Sequence, residues 1–376
     1  MSGIYIHIPF CASRCIYCDF YSTTIKGKAN KYVDAILKEY EERSDFLPCK
    51  EPLRTIYIGG GTPSQLPPEE LARLINSIIE KSRCLPQDKQ EITIEANPED
   101  ITEEYCSRLF NNDLLSSIEF KDILRVSLGV QSLNDNELQL INRRHDSKKP
   151  AMAVKFLREA GIKNISLDLM YGLPTQTIQT WEESIDGIIA LEPEHISAYC
   201  LSIEEGTRLY KLVDEGKLSP ADDELCLEMA DILRKKLKTS GYVQYEISNY
   251  AKPGFESKHN SSYWDRTPYL GLGPGAHSYD GKYTREWNEG DLESYLNGKR
   301  IHGKETLTED DIFKESVMLG LRTNKGVNID IFDNNSAYLQ TIENLTNRQL
   351  VKIKGNNLIL TESGLAIADE IIRDFF

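Results

Sequence analysis

Short apolar runs alternate with longer amphipathic runs through the first half of the chain. The apolar runs predict six β-strands, and apolar residues that recur at helical spacing between them predict helices. Strands that alternate with helices are typical of βαβ units and a parallel sheet. Six units are fewer than a closed barrel of about eight strands needs, so we expect an α/β fold with an open or partial barrel. The predicted strands cover residues 3–8, 55–58, 91–95, 124–130, 165–170 and 196–201, and the predicted helices cover 28–43, a run from Pro68, 99–110, 151–160 and 177–191.

The alternation ends near Ser202. A helix is predicted over 222–238, followed by a segment rich in Gly, Tyr, Asn and Ser over 241–283. From about Thr308 the pattern predicts two helices, a hairpin and a last helix, which together indicate a mostly helical, winged-helix-like domain. This domain holds more acidic than basic residues, so we expect it to pack as a lid rather than to bind DNA. The last four elements are predicted over 310–321, 337–346, 350–361 and 363–375, and the predicted domains are 1–205, 206–305 (which completes the barrel) and 306–376.

The composition is that of a globular protein, with 40% hydrophobic and 27% charged residues. The formal net charge of -15 argues against a general nucleic-acid binder, which needs a basic face. The chain contains no apolar run long enough to span a bilayer, and His7, Pro9 and nearby cysteines interrupt any signal-peptide core. We therefore expect a cytoplasmic protein with no nucleic-acid partner and at most transient membrane contact.

Three cysteines lie close together after the first predicted strand. Cys11, Cys15 and Cys18 follow the spacing C-x3-C-x2-C. A closed zinc site needs a fourth ligand, for which Asp19 or His7 are candidates. A [4Fe-4S] cluster usually takes four cysteines, so three would leave one iron open. The remaining cysteines stand singly and are interpreted as reduced thiols, mostly in the core: Cys49, Cys84, Cys106, Cys200 and Cys226.

The cysteine spacing resembles the cluster-binding signature of the radical S-adenosylmethionine (radical SAM) enzymes. The flanking residues, Tyr5 to Phe10 and Tyr17 to Phe20, narrow the resemblance to the coproporphyrinogen-oxidase-like branch. The resemblance implies a partial (βα)6 TIM-like barrel, with S-adenosylmethionine chelating the open iron. It also implies that an external reductant, such as flavodoxin or ferredoxin, supplies the electron that cleaves this cofactor to methionine and a 5′-deoxyadenosyl radical.

The same resemblance implies a pocket for S-adenosylmethionine at the carboxyl ends of the strands. Gly59 to Gly61 let the backbone approach a ligand, although three glycines also suit a tight turn. Glu95 ends a strand, where a carboxylate needs a partner; that partner could be a Lys or Arg, but by resemblance Glu95 faces the cofactor. Arg143 and Arg144 are adjacent, so either could reach the pocket. The residues that match the family's cofactor positions are Tyr5, Tyr17, Gly60, Gly61, Thr62, Glu95, Gln131, Arg143, Asp168 and Ser202.

A second motif indicates the branch. His259-Asn260-x-x-Tyr263-Trp264 resembles the H-N-x-x-Y-W motif of the HemW subfamily of haem chaperones, and Gly271 to Ser278 follows at the expected place. The resemblance implies haem as bound cargo and a haem-accepting partner protein, and the oligomeric state is left open, with a homodimer as one option. Imidazole is a common axial ligand of haem iron, so His259 is the candidate haem ligand, and His277 and His7 are weaker candidates. The alternative is that His259 is a hydrogen-bonded loop residue.

Two departures separate the chain from the oxidases of this branch. The oxidases carry another cysteine two residues after the third, where this chain has Phe20. They also carry an extension ahead of the first strand, which here begins at Gly3. We therefore expect a radical SAM haem chaperone that can cleave S-adenosylmethionine, with no catalytic side chain assigned. The alternatives are an oxygen-independent coproporphyrinogen III oxidase, another porphyrin-modifying radical SAM enzyme, and a zinc-bearing winged-helix regulator.

Overall fold

Six parallel strands form the centre of the protein. The computed structural model describes residues 2–47, 53–82, 90–110, 115–300, 302–332 and 336–376, so Cys49 and Cys84 lie outside it. Each central strand pairs in parallel with the next one along the chain, which confirms all six predicted strands. The strands are β1 (Ser2–Ile8), β2 (Leu53–Gly60), β3 (Glu91–Ala96), β4 (Leu124–Gln131), β5 (Asn164–Tyr171) and β6 (His195–Cys200).

Helices cover one face of these strands. Ile4, Ile6 and Ile8 of β1 are fully buried in one hydrophobic cluster with Tyr32 and Ile36 of the first helix. Successive residues of a strand point to opposite faces, so the residues between the isoleucines point to the other, more polar face, where the site lies. The helices are α1 (Ala29–Arg43), α2 (Pro68–Lys81), α3 (Glu103–Phe110), α4 (Ile118–Ile123), α5 (Asp135–Leu140), α6 (Lys149–Glu159), α7 (Ile178–Ala190), α8 (Arg208–Asp214) and α9 (Asp223–Thr239).

The segment after α9 lengthens the sheet on both edges. β7 (Val243–Gln244) and β8 (Asn249–Ala251) follow β6 at one edge. At the other edge β9 (Tyr269–Leu272) pairs in parallel with β1, and three antiparallel strands continue outward from it. Because these strands have only two to five residues, no hydrophobic period in this segment is long enough to predict them. The other elements are β10 (His277–Tyr279), β11 (Thr284–Asn288), β12 (His302–Thr306), α10 (Lys258–Trp264) and α11 (Leu292–Leu296).

A buried carboxylate attaches this extension to α1. Glu39 is fully buried, and its Oε1 accepts hydrogen bonds from Arg43 Nη1 at 3.1 Å and Asn288 Nδ2 at 2.8 Å. Its Oε2 accepts from the backbone N–H of Gly273 at 2.9 Å and from the Tyr295 hydroxyl at 2.6 Å. Four donors offset the cost of burying the charge. Glu39 therefore fixes the position of β9 and β11 against the first βα unit.

The C-terminal elements form a separate hydrophobic cluster around the fully buried Phe332. They agree with the predicted winged-helix arrangement, including the hairpin that turns at Gly355 with a φ of 62°. The predicted single last helix is wrong, because the chain breaks at Ile367 into two short helices. At Gly364 an added Cβ would lie 2.0 Å from the carbonyl oxygen of Leu350, the residue just before the hairpin. The backbone of the last segment therefore packs directly against the start of the hairpin. The elements are α12 (Glu309–Leu321), β13 (Val327–Asn328), α13 (Ser336–Asn347), β14 (Val351–Lys354), β15 (Asn357–Leu360), α14 (Glu362–Leu365) and α15 (Ala368–Arg373).

The prediction for the single cysteines holds only in part. Cys106 is buried, as predicted, and Cys226 is partly buried. Cys200 is exposed because it is the last residue of β6 and lies at the mouth of a cavity. The predicted domain boundaries stay a prediction.

Candidate functional site

The three clustered cysteines line one cavity of about 500 Å³ at the carboxyl ends of the central strands. The backbone N–H of Cys11 donates to the Thr23 carbonyl at 2.9 Å, which closes the base of the loop. The middle of the loop is held by Asn142, whose Nδ2 donates to the Arg14 carbonyl at 2.7 Å. Ile16 adds an apolar anchor, since it packs in a small cluster with residues from the neighbouring units. These contacts direct the cysteine side chains toward the cavity.

The thiols have few stabilising partners within the protein. Cys11 Sγ lies 3.5 Å from Thr62 Oγ1, and Arg143 Nη1 donates to Cys15 Sγ at 3.6 Å. Burial raises the pKa of Cys11, and it raises the pKa of Cys18 to about 11. A bound cation is what stabilises buried thiolates, so this donor set fits an iron–sulfur cluster held by three cysteines.

The candidates for a fourth zinc ligand are placed differently. Asp19 is exposed. His7 is buried, and its two ring nitrogens bond to the Tyr5 hydroxyl at 3.0 Å and the Tyr21 carbonyl at 2.8 Å. Within the described ranges, no three His, Cys, Asp or Glu side chains are arranged to hold a single metal ion.

Glycines let the turn after β2 approach the cysteine loop. Gly60 has a φ of +106°, which glycine adopts without strain. At Gly61 an added Cβ would lie 2.8 Å from the Ile8 carbonyl oxygen, which also accepts a hydrogen bond from the Gly61 N–H at 2.8 Å. The glycines thus make a tight turn and also, with Thr62, line the cavity.

Glu95 lines the same cavity. Its Oε1 accepts from the Tyr57 hydroxyl at 2.6 Å and its Oε2 from the Gly60 N–H at 3.1 Å, so its partners are not the lysine or arginine considered above. Burial raises the pKa of Glu95 to about 7, aided by the nearby Asp168 and opposed by the two hydrogen bonds. A carboxyl group that titrates near neutrality in a cavity is typical of a functional site.

Asp168 lies on the next but one strand, half-buried at the same cavity. The Ser127 hydroxyl lies 3.1 Å from both of its carboxylate oxygens, and Ser166 contacts Oδ1 at 3.3 Å. Burial raises the pKa of Asp168 despite these hydroxyls and the nearby Arg125. Arg125 is 1% exposed, and its Nε and Nη1 have no hydrogen-bond partner among the described residues. A buried guanidinium with unused donors at a cavity is ready for an acceptor on a ligand.

The side chains of Gln131 and Arg143 both lie against Gly129, at a β-bulge near the end of β4. The pairing register shifts between Gly129 and Gln131, and Gln131 has a φ of 68°. An added Cβ on Gly129 would lie 2.9 Å from Gln131 Nε2 and 3.2 Å from Arg143 Nη2, so only glycine admits both side chains. Arg143 also donates to the Gly129 carbonyl, whereas Arg144 pairs with Glu99 at 3.3 Å and Asp100 at 3.4 Å. Both arginines line the cavity, but Arg143 is the one that contacts the cysteine loop.

Most of the predicted cofactor residues are therefore brought together, with one exception. Tyr17 and Ser202 line the cavity with the residues above. Tyr5 is not among the lining residues; its ring lies behind Tyr57, with centroids 6.1 Å apart, and its hydroxyl bonds to His7. The prediction missed Tyr57, Arg125 and Ser127. The alternation of side chains along each strand could have indicated them, because every second residue of a strand lies on the sheet face that carries Glu95 and Asp168.

His259, the candidate haem ligand, lies in the interior of the protein. It is fully buried, with Nδ1 2.8 Å from Thr55 Oγ1 and Nε2 2.9 Å from the Tyr263 hydroxyl. Its ring stacks on Tyr57 with centroids 4.9 Å apart, and burial lowers its pKa to about 3. Both ring nitrogens are thus engaged, as in the hydrogen-bonded alternative, and the residue lies on a helix rather than a loop. The assignment of His259 as a haem ligand stays a prediction.

The motif around His259 instead closes the amino-terminal end of the barrel. The carboxylate of Glu91, at the start of β3, accepts hydrogen bonds from the backbone N–H groups of Lys258 and His259, both at 3.1 Å. Ser257 caps the same helix, α10, by accepting from the Asn260 N–H at 3.2 Å. Free N–H groups at a helix start favour a negative partner, so Glu91 anchors this helix across β2 and β3.

Comparison with known proteins places the chain in a class. Residues 5–188 match the model of the Radical SAM superfamily, and residues 307–367 match the HemN C-terminal domain. The fold is similar to that of coproporphyrinogen III oxidase (HemN) from Escherichia coli, with a TM-score of 0.81, 23% identity, and coverage of 100% of this chain and 89% of that one. The class accounts for the parallel strands, the cysteine loop and the cavity, and it implies a [4Fe-4S] cluster and S-adenosylmethionine.

Curated relatives define the particular family. The haem chaperone HemW of Bacillus subtilis is 35% identical, over 100% of this chain and 99% of its own length. HemW of Lactococcus lactis is 33% identical, over 100% of this chain and 97% of its own length. The chain therefore belongs to the HemW family of the radical SAM superfamily. None of the helices in the described part of the chain is long and apolar enough to cross a membrane.

Proposed function

We propose that this protein is a cytoplasmic haem chaperone that binds haem and transfers it to an acceptor protein. The observation that carries the proposal is the similarity to HemW haem chaperones over the whole chain. Phe20 supports it, because a 64% exposed phenyl ring at the cavity stands where the oxidases carry their extra cysteine. The haem acceptor, a flavodoxin- or ferredoxin-type reductant and a homodimer belong to the same proposal.

The cavity residues suit the two cofactors of the class. Cys11, Cys15 and Cys18 would hold the [4Fe-4S] cluster, which when bound supplies an electron to the sulfonium group of S-adenosylmethionine. The amino-acid end of that cofactor carries one cationic and one anionic group. Glu95 is the acceptor for its ammonium group, beside the glycine turn, and Arg143 offers a cation to its carboxylate.

Haem would be handled outside this cavity. A chaperone must bind its cargo where an acceptor protein can reach it, whereas the buried His259 is enclosed on every side. The cluster and S-adenosylmethionine would then regulate or assist transfer rather than oxidise a porphyrinogen.

The test compares the two activities in the same anaerobically purified protein. Incubation with coproporphyrinogen III, S-adenosylmethionine and a reductant should give no protoporphyrinogen. Haem titration should shift the Soret band, and the loaded protein should pass haem to a haem-free globin as a probe acceptor. Protoporphyrinogen formation together with an unshifted Soret band would replace the chaperone with the oxidase.

A further inference from the structure

The histidines of the chain differ sharply in what their rings contact. The chain has six histidines, and the side chain of His302 lies outside the described set. Four of the other five are buried, with both ring nitrogens in hydrogen bonds to protein groups. Such a ring cannot bind iron unless it breaks those bonds. These four are His7, His145, His195 and His259.

His277 is the exception among the described side chains. It is exposed at the start of β10, and neither ring nitrogen bonds to another described residue. Its ring stacks on Trp287 of β11, with centroids 5.8 Å apart and an interplanar angle of 22°. Partial burial lowers the pKa of His277, and the positive charge of Arg285 lowers it further. The imidazole is therefore neutral and able to bind a metal at neutral pH.

The strands around His277 form a flat surface. Trp287 pairs with His277 on one side and with Gly303 on the other. An added Cβ on Gly303 would lie 1.9 Å from the Trp287 ring, so the indole lies across the glycine. On the far side of His277, the backbone of Gly271 passes so close that an added Cβ would lie 2.0 Å from the His277 carbonyl oxygen. Gly271 and Gly303 thus place no side chain directly beside the His277–Trp287 pair. Arg285 and Glu305, two residues along β11 and β12 on the same face, form an ion pair at 3.3 Å next to it.

This surface is continuous with the sheet face that holds the cofactor cavity. Gly271 pairs with Tyr5 of β1, and Tyr5 pairs with Tyr57 of β2. Residues in register across a sheet share a face, so His277 is on the face that carries Tyr57 and its partner Glu95.

We propose that His277, supported by Trp287, is the axial ligand of haem at an exposed site on strands β9 to β12. The inference rests on the proposed haem-binding function and gives it a location. Haem iron needs an imidazole whose ring nitrogens are not bonded to protein groups, and His277 supplies one. Trp287, stacked nearly parallel to that imidazole, holds the orientation of the ring. An open face with one protein ligand also lets an acceptor protein replace that ligand, as haem transfer requires.

The test is a haem titration of the parent protein and of single variants, followed by absorption and EPR spectroscopy. His277→Ala should lose the histidine-ligated Soret band and weaken binding at least tenfold, and added imidazole should restore the band. Trp287→Phe should bind nearly as the parent does, whereas Trp287→Ala should weaken binding with the band position retained. His302→Ala is the matched control, a histidine change on β12, the next but one strand, that should leave the spectrum unchanged.

The outcomes separate this inference from the proposed function. If the parent binds no haem, the chaperone proposal itself fails. If the parent binds haem and His277→Ala keeps the same Soret band and affinity, the His277 site is overturned and the chaperone proposal stands. The same conclusion follows if His302→Ala, rather than His277→Ala, loses the band and the affinity. Near-UV circular dichroism of each variant checks the fold, and His277→Gln, which keeps a polar side chain of similar size, replaces His277→Ala if the alanine variant unfolds.

Discussion

Glu95→Gln should change how the stability of the protein depends on pH. Burial raises the pKa of Glu95 from 4.5 to about 7 in the folded protein. A pKa difference of one unit between the folded and unfolded states changes the free energy of unfolding by about 1.4 kcal/mol, so the shift of Glu95 corresponds to about 3 kcal/mol. Because the folded state holds the proton more tightly, this stabilisation is fully present below the unfolded pKa of 4.5 and is lost as the pH rises through about 7. Glutamine does not titrate, so the variant lacks this loss.

The assay is urea unfolding of both proteins, without S-adenosylmethionine, from pH 5 to pH 8. Subtracting one stability curve from the other removes the groups that both proteins share. The variant should gain stability relative to the parent as the pH rises, by up to about 3 kcal/mol. Asp168→Asn is the companion change: it removes a charge that raises the pKa of Glu95, so the parent's loss should move to lower pH. Parallel curves for Glu95→Gln and the parent would show that the Glu95 carboxyl keeps its ordinary pKa in the folded protein.

Three further predictions concern the surroundings of the site. Glu39→Ala removes the acceptor of four hydrogen bonds and should lower the free energy of unfolding by about 3 kcal/mol, measured by urea unfolding; a loss below about 1 kcal/mol would contradict the buried network. Gly61→Ala places a Cβ 2.8 Å from a backbone oxygen, so it should weaken S-adenosylmethionine binding roughly tenfold by calorimetry, and unchanged affinity would mean that the turn yields freely. Arg143→Lys should weaken S-adenosylmethionine binding roughly tenfold by calorimetry, whereas the matched Arg144→Lys, which changes an ion pair with Glu99, should bind nearly as the parent does. A larger loss for Arg144→Lys would show that Arg144, and not Arg143, binds the cofactor.

The central sheet could be predicted because its strands are strongly patterned. Ile4, Ile6 and Ile8 recur at every second position, as in a strand with one apolar face, and helices follow the strands along the chain. The outer strands were missed because β10 has three residues and β9 contains Gly271. Their position depends on Glu39, three of whose four hydrogen-bond partners come from distant parts of the chain, and no local pattern indicates such a network.

The residues that line the cavity were largely predictable, whereas the burial of the histidines was not. Cysteine spacing and strand ends locate groups without reference to long-range packing, so Cys11 and Glu95 reach one cavity as expected. A histidine in a motif carries no such information about burial. The sequence favours His259 over His277, and only the packed structure shows that His259 is enclosed by Thr55 and Tyr263 while His277 is exposed.

The motif around His259 contacts the cofactor cavity through Tyr57. His259 stacks on Tyr57, and the Tyr57 hydroxyl donates to Glu95 at 2.6 Å. The helix that closes one end of the barrel is therefore connected to the cofactor cavity through two side chains. A change at His259 would act on the position of Tyr57, and through it on Glu95, without contact with any ligand.

The three-cysteine site can be tested by anaerobic reconstitution with iron and sulfide, followed by EPR of the reduced protein with and without S-adenosylmethionine. We expect about four irons and four sulfides per chain, and a spectrum that changes when S-adenosylmethionine binds the iron left open by Cys11, Cys15 and Cys18. One zinc per chain with no iron, or a cluster whose spectrum does not respond to S-adenosylmethionine, would exclude an open iron at this site.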